Sequence, residues 1–338
     1  MPNGHNNIKR LVHRASEEIK SSAAIGRVCG VSEGVNAFRA KLDLQVMNRN
    51  GYAEPPEVRS RLVRKHEAVM AYLENLMGDY AESYDYGAAL PPIPEGMEDK
   101  IWMCWWQGLE NAPEIVKVCI DSVRKNSAGR EVVVITDENM GDFVQIPDLL
   151  VNLRSEGILS RTHISDYLRL ELLSRFGGIW LDSTFFCCHA LEGDIYGAPL
   201  FSIKRPDYLH GSIAGGYFAN YSLGCDDGHR FVFAAIRDLF LEYWRRNGYL
   251  VDYLLTDYLI VMAQRHCPSI ADAFAAIEPN NPACDELFKV LDEPYDASKW
   301  SDLSSSTDLF KLTWKQEFPK QIEGAQTFYG ELIKKGLA

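Results

Sequence analysis

The fold is decided by the stretch HISDYLRLELLSRFGGIWLDST, residues 163–184. Ser160 precedes it, and a serine there is typical of a helix N-cap. Apolar side chains then recur at helical spacing, at Ile164, Leu168, Leu172 and Phe176. Gly177 and Gly178 end this helix and let the chain turn tightly. Residues 179–181 follow as a short apolar strand that ends at Asp182.

The preceding segment predicts a parallel sheet. Residues 100–106 form a short apolar run, residues 113–126 a helix, and residues 131–135 a second strand. A strand–helix–strand order favours parallel strands joined by a right-handed crossover. We therefore predict an α/β fold with a mainly parallel sheet flanked by helices. Ligands bind such sheets beyond the carboxyl ends of the strands, and Trp105, Asp137 and Asp182 lie there.

The remaining elements are predicted from local patterns. Residues 201–203 and 217–223 resemble strands, and residues 231–247 and 252–264 resemble helices. Residues 279–308 are rich in Pro, Asp and Ser, which predicts a surface loop.

The first 88 residues have apolar side chains at helical spacing, and the Pro-rich segment 90–94 follows them. We predict a helical N-terminal appendage over residues 1–95 and a second domain over residues 96–338. Basic residues of the appendage could contact anionic lipid, although a solvated helix face is the favoured alternative. These residues are Lys9, Arg10, Arg14, Arg59, Arg61, Arg64 and Lys65. The sequence has no export signal, so we expect a cytoplasmic protein with at most weak peripheral contact to the inner face of the membrane.

Composition argues against several functional classes. The formal net charge is -12, which gives no general support for a nucleic-acid partner. Eight cysteines occur without a Cys-x-x-Cys pair, so neither a zinc site nor a disulfide framework is expected. Gly-x-Gly-x-x-Gly, Walker, nucleophile-elbow and His-Glu-x-x-His motifs are absent from the sequence.

Three charged residues carry the predicted chemistry. Asp166 and Arg169 are three residues apart and therefore lie on one helical face. Asp182 follows a strand, where its carboxylate could coordinate a divalent cation that bridges a diphosphate. Arg169 could bind phosphate or ribose oxygens. Spacing alone leaves an alternative of about equal weight, in which Asp166 and Arg169 form a surface ion pair and Asp182 is a turn residue.

These motifs resemble a known family. The Ser165-Asp166-x-x-Arg169 and Gly177-Gly178-x-Trp180-x-Asp182 patterns are similar to the signature of glycosyltransferases with the GT-A fold. Such enzymes include yeast-type mannosyltransferases and clostridial glucosylating toxins. The bacterial capsular polysaccharide synthesis protein family is more similar still. Flanking pieces extend the resemblance over about residues 98–316: Ile101-Trp102, Trp105-Trp106-Gln107-Gly108, Ala112-Pro113, Tyr243-Trp244, Asp252-Tyr253 and Lys311-Leu312-Thr313-Trp314-Lys315.

The resemblance implies roles for individual residues. Asp166 would bind the donor sugar or ribose, Arg169 would bind donor oxygens, and Trp102 would contact the nucleotide base. Asp182 would be the first acidic residue of an Asp-x-Asp metal motif, with manganese or magnesium as the cation. The third motif position is Thr184 rather than Asp, as is common in the capsular family. Because a hydroxyl is a weaker ligand, we expect a weaker metal site.

Other candidates depend on chemical type more than on motif. Lys311 and Lys315 could hold the donor diphosphate, or they could be ordinary surface lysines. Trp105 could shape the base pocket, although buried tryptophans more often belong to the core. Asp252 or Asp257 could face the sugar or acceptor, with helix capping by Asp252 as the alternative.

The resemblance as a whole implies transfer of a hexose, most simply from a UDP-sugar. The acceptor would be a hydroxyl of a glycan or lipid-linked oligosaccharide, and the transfer would be of the retaining type. Two alternatives stay open: a sugar-nucleotide hydrolase, and a non-catalytic sugar-binding protein of a polysaccharide cluster.

Overall fold

We describe a computed structural model of the chain. It describes residues 4–49 and 53–337, with side chains at residues 16–47, 53–334 and 336–337. The strands are β1 Ile101–Cys104, β2 Val132–Ile135, β3 Gly178–Leu181, β4 Phe185–Cys187, β5 Leu200–Ser202, β6 Ser222–Cys225, β7 Leu309–Lys311, β8 Gln321–Ile322 and β9 Ala325–Gln326.

The α-helices flank these strands. They are α1 Gly4–Cys29, α2 Val31–Arg49, α3 Pro56–Ser83, α4 Glu114–Lys125, α5 Met140–Phe143, α6 Asp148–Ser155, α7 Arg161–Phe176, α8 Arg230–Arg246, α9 Leu255–His266, α10 Pro268–Ala275, α11 Glu286–Lys289, α12 Ala297–Ser304 and α13 Phe328–Lys335.

The central sheet has five strands in the order β2-β1-β3-β6-β5. β1 pairs in parallel with both β2 and β3, whereas β6 is antiparallel to β3 and β5 is antiparallel to β6. Strands β2, β1, β3 and β5 therefore run in one direction and β6 opposes them. The prediction of a mixed, mainly parallel sheet flanked by helices is confirmed.

Helices cover both faces of the sheet. Trp102 and Trp180 pack on one face with apolar residues of α7 and α8, and Ile101 and Met103 pack on the other face with residues of α4. Burial on both faces explains why the strands are apolar throughout instead of alternating.

Two predicted elements are wrong. The strand expected at 217–223 is Ser222–Cys225, because its register is fixed by pairing with β3, in which Leu181 lies opposite Ser222. The loop expected at 279–308 contains α11 and α12. Asp296 caps α12 by accepting from the backbone N–H groups of Ser298 and Lys299, so a residue type associated with loops begins a helix here.

The N-terminal residues are helical, as predicted. The boundary near residue 95 stays a prediction about folding units, but the contacts of α3 cross it. Val69, Leu73 and Met77 of α3 belong to the same buried cluster as Ile236 of α8 and Leu259 of α9. In packing terms, α3 is continuous with the α/β core.

The basic residues for which lipid contact was the less favoured alternative are paired or buried where the structure describes their side chains. Arg59, Arg61 and Arg64 form ion pairs with acidic side chains, and Lys65 is fully buried. The side chains of Lys9, Arg10 and Arg14 lie outside the described residues. Among the described helices, none is both long and apolar enough to cross a membrane.

Candidate functional site

Helix α7 and strand β3 carry the motif to the carboxyl edge of the sheet. Ser160 caps α7: its hydroxyl accepts from His163 N, and Ser160 N donates to His163 Nδ1. The His163 ring therefore takes part in the cap of this helix. Gly178 has a φ of +81°, and an added Cβ would lie 2.3 Å from Lys100 O. Only glycine permits β3 to begin so close to β1.

Arg169 joins three segments at this edge. Its Nη1 lies 3.2 Å from Asp166 Oδ1 on α7 and donates to Asn220 O, at 2.7 Å, just before β6. Its Nη2 lies 3.6 Å from Asp182 Oδ1 at the end of β3. The guanidinium also lies 5.2 Å from the centre of the Trp180 ring. The residues that the motif separates in sequence thus meet, and Asp166 and Arg169 form a buried pair, not a surface one.

A second cation contacts the other carboxylate oxygen of Asp182. Lys311 Nζ lies 3.2 Å from Asp182 Oδ2 and donates to Thr184 Oγ1 at 2.6 Å. Strand pairing places it there, because Lys311 on β7 lies opposite Phe185 on β4. Asp182 is therefore held between a guanidinium and an ammonium.

The two carboxylates of the motif have opposite electrostatic environments. Burial raises the pKa of Asp166, and the adjacent Arg169 only partly counteracts this effect. Burial also acts to raise the pKa of Asp182, but Lys311 and Arg169 outweigh it and hold that pKa below its usual value. Asp182 is consequently an anion held by two cations, as expected for a charge-organising residue.

Two further acidic residues have different positions. Asp252 is buried against α3, with Oδ2 2.9 Å from Lys65 Nζ, and its Oδ1 accepts from Leu254 N. These contacts support the alternative structural role of Asp252, and they do not direct its carboxylate toward a ligand. Asp257, in the first turn of α9, accepts from the Ser212 hydroxyl. Burial raises the pKa of Asp257 to about 7, and the negative charge of Asp166 has a smaller effect in the same direction. Asp257 is therefore close enough to the motif to feel the charge of Asp166.

The tryptophan and lysine candidates lie in different environments. Trp102 is fully buried, donates from Nε1 to Gly177 O and packs against Phe176, so contact with a nucleotide base is corrected to a core role. Trp105 follows β1 at the carboxyl edge, and its ring lies edge-on to Trp314 at 5.5 Å. Lys315 is exposed, and no contact in the described part of the chain links its ammonium to Asp182.

In the described structure, a lysine occupies the position that the motif would offer to a divalent cation. Asp182 and Thr184 supply one carboxylate and one hydroxyl, so water and substrate phosphates would have to complete an octahedral shell of about six oxygen ligands. Lys311 already contacts both side chains. Among the described residues, no three His, Cys, Asp or Glu side chains are grouped so that they could hold a metal ion.

Several unsatisfied polar atoms belong to residues at or beside the motif. Of the ten buried side-chain atoms that lack a hydrogen-bond partner among the described residues, four are Trp105 Nε1, Arg169 Nε, Asn220 Oδ1 and Asp257 Oδ1. An unmade buried hydrogen bond costs roughly 1–3 kcal/mol. Such groups therefore call for an explanation, and a polar ligand at this edge would supply the missing partners.

Asn220 and Ser212 were not predicted as site residues. They contact Arg169 and Asp257 from loops that are 51 and 45 residues away in sequence, and no local motif marks either one. The Lys311–Thr184 hydrogen bond spans 127 residues and is equally invisible in local patterns.

Comparison with known proteins gives one match. The family model described as capsular polysaccharide synthesis protein matches residues 51–332. The match begins before α3, so it extends further toward the N-terminus than the expected residues 98–316. No curated protein and no solved structure matches the chain.

Proposed function

Because this chain belongs to the capsular polysaccharide synthesis protein family, we propose that it is a glycosyltransferase of surface polysaccharide synthesis. The donor is a nucleotide diphosphate sugar, a UDP-sugar in the simplest case. The acceptor is a hydroxyl of a glycan or a lipid-linked oligosaccharide. The GT-A assignment, and with it the relation to mannosyltransferases and glucosylating toxins, is part of this proposal.

One observation supports the proposal above the others: Arg169 and Lys311 converge on Asp182 at the carboxyl edge of the parallel strands. The chain is acidic overall, with a net charge of -12, so two adjacent cations in a largely buried setting form a local anion site. A planar guanidinium binds phosphate oxygens through two N–H groups, and an ammonium acts as a compact charge.

The chemistry follows from the charge that develops on the leaving group. As the bond between the sugar and the diphosphate breaks, negative charge accumulates on the diphosphate, and Arg169 and Lys311 would stabilise it. Asp166, held by Arg169, would bind a donor hydroxyl, and Asp182 would keep both cations in position. In retaining transfer, a departing phosphate oxygen takes the acceptor proton while the new glycosidic bond forms on the same face. The protein then contributes position and charge, with no covalent intermediate.

The test is product formation from a panel of UDP-sugars with glycan acceptors. We expect Asp182→Asn to lose transfer, because it removes the charge that positions both cations. Asp137→Asn is the matched control: it removes a carboxylate at the same sheet edge that pairs with Arg161, at 2.9 Å, on the surface. Retained turnover in Asp182→Asn, with a native circular dichroism spectrum, would refute the site assignment.

UDP release and thermal melting separate the two alternative functions. UDP release that does not depend on an acceptor would indicate a sugar-nucleotide hydrolase. A sugar nucleotide that raises the melting temperature without turnover would indicate a non-catalytic binding protein.

A further inference from the structure

The position of Lys311 is fixed by the backbone on both sides. β7 pairs with β4, Lys311 N donates to Cys284 O at 2.8 Å, and Leu312 N donates to Thr184 O at 2.9 Å. The side chain is only 22% exposed and lies over the Phe185 and Tyr221 rings, with Nζ 5.4 and 5.6 Å from their centres. Lys311 is therefore an ordered part of the site and differs from a mobile surface lysine.

The ammonium contacts the two oxygen atoms that an Asp-x-Thr motif would offer to a metal. It lies 3.2 Å from Asp182 Oδ2 and 2.6 Å from Thr184 Oγ1. A divalent cation at these atoms would have to displace a like charge that aromatic rings and backbone pairing hold in place. Thr184 suits this arrangement, because a neutral hydroxyl accepts from an ammonium without adding a second negative charge.

We infer that Lys311 is the resident cation of this site and takes the place of a divalent metal in binding the donor diphosphate. The inference rests on the proposed function for the identity of the ligand, but its claim about the cation is independent of that ligand. It also explains why the third position of the motif is threonine: the Thr184 hydroxyl is the hydrogen-bond partner of Lys311.

The first test needs no substrate. Manganese chloride is titrated into the full chain, and free Mn²⁺ is followed by electron paramagnetic resonance. We expect the signal of free Mn²⁺ to persist at equimolar protein. Loss of that signal in wild type, restored by Asp182→Asn, would overturn the inference, since it would locate a metal on the motif.

The second test measures binding of UDP by calorimetry, in chelator and then in excess manganese. We expect similar affinity in both conditions and a loss of about tenfold in Lys311→Met, the effect of one charge-assisted contact. Lys125→Met is the matched control, because it removes an exposed lysine in the last turn of α4, at the end of that helix that leads away from the carboxyl edge, and its affinity should stay unchanged. UDP binding only with manganese would overturn the inference. Absence of UDP binding in both conditions would instead refute UDP as the donor nucleotide of the proposed function, and the manganese titration would still decide the role of Lys311.

A separate surface carries a second inference. Helix α2 presents an apolar stripe to solvent, with side chains between 36% and 79% exposed: Val31, Val35, Phe38, Leu42 and Val46. Their spacing of four, three, four and four residues keeps them on one side of the helix. Contiguous exposed apolar surface of this kind marks an interaction site more often than scattered residues do.

The charge around the stripe is positive. Arg27 and Arg39 are exposed, and among the described side chains neither has an acidic partner. The nearby acidic residues are already paired: Glu18 with Lys41, Glu33 with Arg64 and Asp43 with Arg61. The α2 face is defined as the stripe together with Arg39 of α2 and Arg27, which lies in the last turn of α1, four residues before Val31. It is therefore apolar and cationic on a chain whose net charge is -12.

We propose that the α2 face binds the surface of a membrane that contains anionic lipid. Apolar side chains would enter the headgroup boundary, and the two arginines would contact lipid phosphates. A second copy of the chain fits less well, because a two-fold contact would place Arg27 and Arg39 of both copies, four arginines, in one interface that offers no free acidic partners.

Co-sedimentation with vesicles tests this proposal. We expect the full chain to pellet with vesicles of phosphatidylglycerol and phosphatidylcholine, and to stay in solution with phosphatidylcholine alone. Val35→Glu combined with Leu42→Glu should abolish sedimentation, whereas Val151→Glu, at a half-exposed valine of α6, should not. Sedimentation that the double variant retains would overturn the proposal. So would a dimer, measured by light scattering, that the double variant alone disrupts, because the face would then bind a second copy.

Discussion

Lys65→Met removes a buried charge that ties α3 to the segment before α9. Lys65 is fully buried, and its Nζ lies 2.9 Å from Asp252 Oδ2, itself only 6% exposed. Methionine fills a similar volume but leaves the Asp252 carboxylate without its nearest cation. Burial acts to raise the pKa of Asp252, yet Lys65 and Lys41 together lower it to about 2 from the usual 3.8.

The magnitude follows from this shift. The lowering of the Asp252 pKa from 3.8 to about 2 corresponds to roughly 2 kcal/mol of stability at neutral pH. This value is a lower bound, because the cations also offset the burial penalty that would raise the pKa. Removing one partner of a buried pair typically costs about 3–5 kcal/mol, and we expect Lys65→Met to fall in that range.

Urea denaturation at pH 7 measures this loss. Arg64→Met is the matched control: it removes the neighbouring cation, whose ion pair with Glu33 is exposed, and should cost less than about 1 kcal/mol. Adding Asp252→Asn to Lys65→Met should recover most of the loss, because the amide is neutral and can still accept from Leu254 N. The reasoning is refuted if Lys65→Met costs no more than Arg64→Met, or if the double variant is less stable than Lys65→Met alone.

Three further perturbations have defined outcomes. Burial raises the pKa of Asp257 to about 7 from 3.8. Between about pH 4 and about pH 7 the folded state therefore keeps a proton on Asp257 that the unfolded state has lost. The free energy of unfolding consequently falls as pH rises through this range, by at most about 4 kcal/mol. Asp257→Asn should gain stability relative to wild type across that window in urea titrations, and parallel pH profiles would contradict this. Gly178→Ala should lower the free energy of unfolding by more than about 2 kcal/mol, because its φ is +81° and the added Cβ would contact Lys100 O. Gly129 has a similar φ of +85° but open space around it, so Gly129→Ala should cost about 1 kcal/mol. Similar melting temperatures for the two variants would exclude the steric argument. Arg169→Lys keeps the charge but loses the planar fork, so UDP should bind about tenfold more weakly in calorimetry; an unchanged affinity would exclude a role for the fork.

The sequence predicted those helices and strands whose caps and apolar patterns lie within the element itself. Ser160 and Gly177 mark the two ends of α7, and the apolar runs at β1 and β2 reflect burial on both faces of the sheet. The motif residues Asp166, Arg169 and Asp182 could be grouped in advance, because a helix, a tight turn and a strand connect them within 17 residues. Such features follow from short-range geometry.

The remaining features depend on contacts between distant segments. Lys311 reaches Thr184 only because β7 pairs with β4, and the register of that pairing appears in neither segment alone. Trp102 follows the same logic: its burial depends on Phe143 and Phe176, which pack on it from two other elements. A buried tryptophan and a ligand-stacking tryptophan have the same local sequence, so only tertiary packing separates them.

The packing of α3 connects the N-terminal helices to the candidate site. Within one turn of α3, Lys65 pairs with Asp252, and His66 bonds through Nδ1 to the Tyr258 hydroxyl at 2.6 Å and through Nε2 to His210 O at 2.9 Å. These contacts hold the two segments that carry Asp257 and its partner Ser212. The family match also begins before α3, so this helix lies within the matched span and packs against the segments that carry Asp257 and Ser212. Disturbing Lys65 should therefore reduce stability first and alter the surroundings of Asp257 as a consequence.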